Sequence, residues 1–215
     1  MNVLAINGSP RKKWNTATLL ERVLAGAAGH GAATELVHLY DCTFKGCRSC
    51  FECKKIGGKY YGRCAMKDDL TPVLEKVFEA DALVVGTPVY FGAETGECRS
   101  FLERLLFPFV TYTPNYASIF PRKIPTAILY TMNVREQDIE RYNYDKGFNR
   151  TRVVMGRVFG RCEAFYATDT LQFDDYAKYL STVWDAEAKA KRREEVFPQD
   201  CARAFALGER LATPD

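Results

Sequence analysis

The run Val3-Leu4-Ala5-Ile6, followed by Asn7-Gly8-Ser9-Pro10-Arg11-Lys12-Lys13-Trp14-Asn15-Thr16-Ala17-Thr18, decides how this chain is read. Four consecutive apolar residues predict a strand buried on both faces. Behind the loop, Leu19, Leu20, Val23, Leu24 and Ala27 recur at helical spacing and predict an amphipathic helix. The connecting loop combines small residues, hydroxyls and Arg11. The free N–H groups of a first helical turn, together with Ser9, Asn15, Thr16 and Thr18, can surround a phosphate. The helix dipole adds partial positive charge at that place, and Arg11 a full one. The plainer reading makes Gly8-Ser9-Pro10 a turn and Asn15 a helix N-cap. The loop has neither the Gly-x-x-x-x-Gly-Lys-Ser/Thr spacing of a triphosphate loop nor the Gly-x-Gly-x-x-Gly of a dinucleotide site. The choice therefore rests on the rest of the chain.

Working outward, strand and helix signals alternate. Strand one covers Asn2 to Ile6 and helix one roughly Thr16 to Ala28, ended by Gly29 and Gly31. Strand two is Glu35 to Leu39. A cysteine-rich stretch, about 41–67, follows, with too many turn formers to be a regular element. Helix two opens at Asp68 or Asp69, accepts Pro72 in its first turn and buries Leu70, Val73, Leu74, Val77 and Phe78. Strand three is the continuous apolar run Ala82 to Thr87. Helix three carries Cys98, Phe101, Leu102, Leu105 and Leu106, and strand four runs from Thr126 to Tyr130. The charged, tyrosine-rich stretch from Arg135 to Arg152 reads as part helix or flap. Val153 to Phe159 reads as helix, Glu163 to Ala167 as strand five, and Asp174 through Trp184 as a further helix. Lys189 to Glu195 has the look of a solvated helix face, and a last helix spans about Asp200 to Leu211.

This alternation predicts an α/β, doubly wound, five-stranded parallel sheet in the order 2-1-3-4-5, flanked by helices, with a cysteine-rich loop after strand two. Neither a repeat nor a linker interrupts it, so residues 1–215 are expected to form a single domain with a C-terminal helical extension over about 174–212. Such sheets bind ligands beyond the carboxyl ends of the strands, where strand order reverses. Polar or glycine-containing loops follow strands one, three and four, which are neighbours in that order.

Composition excludes several classes. The net charge is +3, from 30 basic and 27 acidic residues, too slight to imply a nucleic-acid partner. No apolar run reaches the length of a membrane span, and the first strand lacks the basic flank of a signal peptide. Eight cysteines without a secretion signal point to a reducing cytoplasm, where clustered thiols bind metals or do redox chemistry. The two histidines, His30 and His38, leave little room for histidine catalysis.

Taken together, three loops make sense as one pocket for flavin mononucleotide (FMN). The loop with Ser9, Arg11, Asn15, Thr16, Ala17 and Thr18 would hold the phosphate. Pro88-Val89-Tyr90-Phe91-Gly92 would run past the isoalloxazine ring, with Gly92 allowing close approach and Tyr90 or Phe91 covering the ring. Thr131-Met132-Asn133 would supply hydrogen bonds to the pyrimidine edge. At these residues the chain resembles the flavodoxin-like NADPH-dependent FMN reductases, in particular the branch containing the iron-sulfur flavoproteins. The matching pieces are Gly8-Ser9-Pro10-Arg11 with Asn15-Thr16, the cysteine stretch ending Cys64 with Lys67-Asp68-Asp69-Leu70, and Gly86-Thr87-Pro88-Val89-Tyr90-Phe91-Gly92 with Gly96. The resemblance implies FMN, a nicotinamide electron donor, and a homodimer or homotetramer in which a neighbouring subunit helps to cover the flavin.

Cys47, Cys50 and Cys53 follow a Cys-x-x-Cys-x-x-Cys pattern, with Cys64 farther on. Three thiolates so spaced can hold three corners of a [4Fe–4S] cube, and a distant fourth completes it. The resemblance assigns this role to Cys47, Cys50, Cys53 and Cys64, although the gap from Lys54 to Arg63 exceeds that of the compact motif. Free thiols beside the flavin, a four-thiolate zinc site and a redox pair of Cys47 and Cys50 are the other readings. Cys98, Cys162 and Cys201 read as buried apolar residues.

The expected function is an oxidoreductase that passes reducing equivalents from NAD(P)H through FMN to a small-molecule or protein acceptor. No catalytic side chain is required, since the cofactor carries the chemistry. Two alternatives are a non-enzymatic electron carrier between protein partners and a cysteine-based metal or redox sensor on the same scaffold.

Overall fold

A computed structural model describes residues 1–213. Five strands, β1 (Asn2–Asn7), β2 (Ala33–His38), β3 (Ala82–Pro88), β4 (Ile124–Thr131) and β5 (Gly160–Ala167), form one parallel sheet in the order β2-β1-β3-β4-β5. The period of two in the strands sorts side chains into two cores. Leu4, Ile6, Leu83, Val85, Ile128 and Tyr130 face helices α2 (Leu70–Glu79), α3 (Gly96–Leu106) and α4 (Tyr144–Phe159). Val3, Ala5, Ala82, Val84, Ala127 and Leu129 face α1 (Asn15–Gly29) and α6 (Phe197–Ala212). Helix α5 (Ala186–Glu195) leads into α6. None of the described helices is long and apolar enough to cross a membrane.

Helices α1 and α6 meet backbone to backbone. A Cβ on Gly26 would stand 2.0 Å from the carbonyl oxygen of Phe205, and one on Gly208 would stand 1.8 Å from that of Val23. Two glycines thus set the separation of the helices that cover one whole face of the sheet.

The charged stretch after β4 resolves into a 3₁₀ turn, Glu136–Asp138, and the first half of α4. The helix expected over Asp174–Trp184 does not form. Its place is taken by an irregular segment with one 3₁₀ turn, Tyr176–Lys178. Asp174 and Asp175 accept from the N–H groups of Asp175 and Ala177, local bonds that compete with a helix ladder. The apolar spacing that mimicked a helix is used otherwise: Phe173 stacks on Tyr179 at 4.0 Å, while Leu180 and Val183 are exposed. The C-terminal helical extension therefore begins at Ala186, not near 174. Nor is the 189–195 stretch wholly solvated, because Lys189 is buried.

Candidate active site

The loop after β1 is shaped from beneath by Asn7, which is fully buried. Its side chain accepts from the Ser9 N–H at 2.9 Å and lies 2.9 Å from Nδ1 of His38. Ser9 Oγ then accepts from the Arg11 N–H at 3.1 Å. Helix α1 follows, and its N-cap residue is Trp14, not Asn15; no side chain caps it. The first helical bond runs from the Thr18 N–H to the Trp14 carbonyl at 2.9 Å. The N–H groups of Asn15, Thr16 and Ala17 are those a helix start leaves without intrahelical partners.

These groups open into a cleft with the ends of β3 and β4. Of the residues singled out in the sequence, Ser9, Arg11, Asn15, Thr16, Pro88, Val89, Tyr90, Thr131, Met132 and Asn133 line it together. Its walls are tied: Thr16 Oγ1 lies 2.8 Å from Thr131 Oγ1, and the Val89 N–H donates to the Thr131 carbonyl at 2.9 Å. The Oδ1 atom of Asn133 is buried without a hydrogen-bond partner. An orphaned acceptor and an uncapped helix start in one cleft suit a ligand carrying both an N–H edge and a phosphate, as FMN does.

Four predicted residues do not line this cleft. The side chains of Ala17 and Thr18 are absent from it, and the Thr18 N–H is committed to the helix while that of Ala17 is not. Phe91 is fully exposed at φ 51° and is not part of the lining. Gly92, at φ 78°, makes room for the Tyr144 ring: a Cβ there would stand 2.7 Å from it. Its smallness serves the packing of α4 against this loop.

Behind the same loop sits Glu94, whose side chain is 5% exposed. Its Oε1 accepts from Tyr130 Oη at 2.7 Å and Thr151 Oγ1 at 2.6 Å, and Arg99 stands 3.6 Å from Oε2. Burial, ahead of the Glu94 charge, pushes the Tyr130 hydroxyl above its usual range, so it stays a donor. This carboxylate joins β4, α4 and the loop after β3. Glu94→Ala is expected to strand two buried hydroxyls and cost about 3 kcal/mol in urea unfolding, while Glu94→Gln, which keeps an acceptor, costs less.

The cysteine loop packs on α3, where the Cys47 N–H donates to Glu103 at 3.2 Å. Cys47, Cys50, Cys53 and Cys64 line one small cavity together with Phe107 and Arg104. Ser49 and Phe51 adopt φ of 55° and 56°, a left-handed conformation that costs non-glycine residues energy and curls the Cys-x-x-Cys-x-x-Cys segment inward. The Ser49 N–H points at Cys47 Sγ (3.5 Å), and Arg104 Nε donates to Cys64 Sγ (3.3 Å). Arg104 is 1% exposed and also bonds Asp68 at 2.5 Å and the carbonyl of Lys45. Burial raises the Cys53 thiol above its ordinary pKa, partly offset by Lys54. Among the described residues no three Cys, His, Asp or Glu side chains stand at the spacing of a single metal ion. Four thiols around one cavity, with N–H donors to sulfur, are a donor set suited to the corners of a cube. The cavity's 20 Å³ is room for about one water molecule, so a cluster would need the loop to open.

Comparison with known proteins bears on both features. The family described as NADPH-dependent FMN reductase matches residues 1–125, more than half of the chain and the whole of the first two cleft loops. The chain belongs to this family. An iron-sulfur flavoprotein of Archaeoglobus fulgidus is 45% identical over 104 residues, 48% of each chain. One from Methanocaldococcus jannaschii is 36% identical over 104 residues, 48% of this chain and 51% of its own length. The chain thus matches about half the length of these relatives, whose names agree with the branch its motifs resemble. Among solved structures, an NAD(P)H:quinone oxidoreductase from Methanothermobacter marburgensis superposes with a TM-score of 0.71 over 98% of both chains. An azoreductase from Bacillus anthracis does so with 0.67 over 97% and 99%. At 16% and 15% identity these likenesses concern the fold alone.

Several residues of the cleft are not singled out by the sequence. Trp14, Thr170, Leu171 and Gln172 complete its lining. The Leu171 carbonyl accepts from Trp14 Nε1 at 3.2 Å and Asn15 Nδ2 at 2.9 Å, and the Gln172 carbonyl from Arg11 at 2.6 Å. Arg193 of α5 donates to Asn15 Oδ1 at 2.8 Å. Lys189 bonds the Asn133 carbonyl at 3.0 Å and pairs with Asp169, and burial lowers its pKa. One signal was available: Thr168-Asp169-Thr170 is a fourth polar strand end, after β5, beside the loop after β4. Arg193 and Lys189 had none, being charged residues in a charge-rich helix.

Proposed function

We propose that the whole chain is one FMN-binding unit that passes reducing equivalents from NAD(P)H to an acceptor. Family membership supports FMN as the cofactor and oxidoreduction as the chemistry. The observation that carries the reading is the uncapped start of α1 facing the orphaned Asn133 acceptor across one cleft. The phosphate would sit on the N–H groups of Asn15 and Thr16 with Ser9 and Arg11 around it. Arg11 would exchange the Gln172 carbonyl for the phosphate, so binding loosens one tie of the 170–172 segment. Tyr90, half-exposed at the cleft edge, would flank the ring, and Asn133 would accept from its pyrimidine edge. When bound, FMN supplies hydride acceptance and the passage of electrons singly or in pairs. No acid or base side chain is asked for, because holding the two rings together accounts for the rate.

Cys47, Cys50, Cys53 and Cys64 would hold a [4Fe–4S] cluster, which supplies one-electron transfer. The names of the relatives support this, as does the convergence of the four thiols. The assembly we propose is a homodimer or homotetramer, with a partner covering the open cleft. Anaerobic mixing of the FMN-loaded protein with NADPH or NADH is expected to bleach the flavin absorption. Flavin that stays oxidised with both donors overturns the reductase reading and favours the electron-carrier reading.

A further inference from the structure

On the outer side of the cysteine loop, between α2 and α3, lies a cavity of about 160 Å³ that the FMN site does not use. Its floor is apolar, formed by Leu74, Phe78, Leu105 and Phe109. Phe78 stacks on Phe109 at 6.5 Å and meets Phe120 edge-on at 5.7 Å, so the floor borders a packed aromatic cluster. Around the rim stand three cations. The Arg63 guanidinium lies 3.8 Å over the Phe78 ring, and Lys59 and Lys67 flank Tyr60 at 5.4 and 5.9 Å. None of the three has a carboxylate partner among the described residues, and the lining contains one carboxylate, Glu75. Unpaired surface lysines are ordinary; three cations around an apolar hole are not a merely solvated face.

Size and charge together specify a ligand. An apolar cavity of about 150 Å³ holds one benzene ring. A rim with excess positive charge, including a planar guanidinium, favours a carboxylate. We propose that this cavity binds a single-ring aromatic carboxylate, with its ring against Leu74 and Leu105 beside the Arg63–Phe78 pair and its carboxylate between Arg63 and Lys67. Cys64 and Arg104 line both this cavity and the cysteine cavity, so the ligand rests against the Arg104–Cys64 hydrogen bond. Binding is thereby expected to shield Cys64.

Calorimetric titration of the full chain at low salt, saturated with FMN, tests this with benzoate and its neutral counterpart benzyl alcohol. Benzoate is expected to bind one per chain and about tenfold tighter than the alcohol, a difference that shrinks with added salt. The double variant Arg63→Met, Lys67→Met is expected to bring benzoate down to the level of the alcohol, leaving the alcohol unchanged. Leu74→Trp, which fills the floor, is expected to abolish both. Benzoate that shows no saturable binding, matches the alcohol, or binds the double variant as tightly overturns the proposal. So does benzoate binding that appears only when FMN is left out, since that places it in the flavin cleft. If Leu74→Trp fails to fold by circular dichroism, the double variant decides alone.

Discussion

Riboflavin is expected to bind this protein about a thousandfold more weakly than FMN. The two ligands share the ring and differ in the phosphate, so the ratio isolates the loop after β1. Three charge-assisted hydrogen bonds at about 1.5 kcal/mol each give about 4.5 kcal/mol, a factor on the order of a thousand. The donors are of two kinds: helical N–H groups of Asn15 and Thr16, which Trp14 leaves uncapped, and the Arg11 side chain. Arg11→Met separates them. It is expected to weaken FMN about tenfold while leaving riboflavin unchanged, because the helix start remains. Fluorescence quenching titrations of both flavins with both proteins measure the four constants. Equal affinity for FMN and riboflavin in the unaltered protein would remove the phosphate from this loop.

Gly208→Val is expected to destabilise the fold by about 4 kcal/mol, enough to leave little soluble protein. The first side-chain carbon alone would stand 1.8 Å from a backbone oxygen of α1, and no rotamer relieves a clash at Cβ. Relief requires α6 to move off α1, which opens the contacts of Val23, Ala27, Ala204, Leu207 and Leu211 on that face. Gly29 is the control. A Cβ there meets nothing within 4 Å, so Gly29→Ala is expected to be neutral or mildly stabilising. Urea unfolding followed by circular dichroism distinguishes the two. A Gly208→Val protein as stable as the parent would mean that the helices are not this close.

Much of this architecture was legible because the central strands are buried on both faces. Val3-Leu4-Ala5-Ile6 and Ala82-Leu83-Val84-Val85 can hardly be anything else, and their parallel order follows from the intervening helices. The polar ends of β1, β3 and β4 then pointed to one cleft. Misreadings arose where local chemistry outweighed spacing. Tyr176, Tyr179, Leu180 and Val183 have helical spacing, but Asp174 and Asp175 tie up the local backbone and no core faces those side chains. Gly92 makes room for Tyr144, more than fifty positions away, a packing role that its place after Tyr90-Phe91 does not announce. Lys189 and Arg193 reach the cleft from a helix whose composition reads as solvated. Nothing local distinguishes them from Lys191, because their partners, Asn133, Asp169 and Asn15, are distant in sequence.

The account stands or falls on FMN in the cleft between the ends of β1, β3 and β4. The most direct measurement is the flavin content of the chain after purification without oxygen, incubation with excess FMN and gel filtration to remove the unbound flavin. Denaturation and chromatography then identify what is released. One FMN per chain is predicted, with the absorption spectrum of a protein-bound flavin before denaturation. A colourless protein that releases no flavin would contradict the reading and leave the scaffold to its cysteine loop.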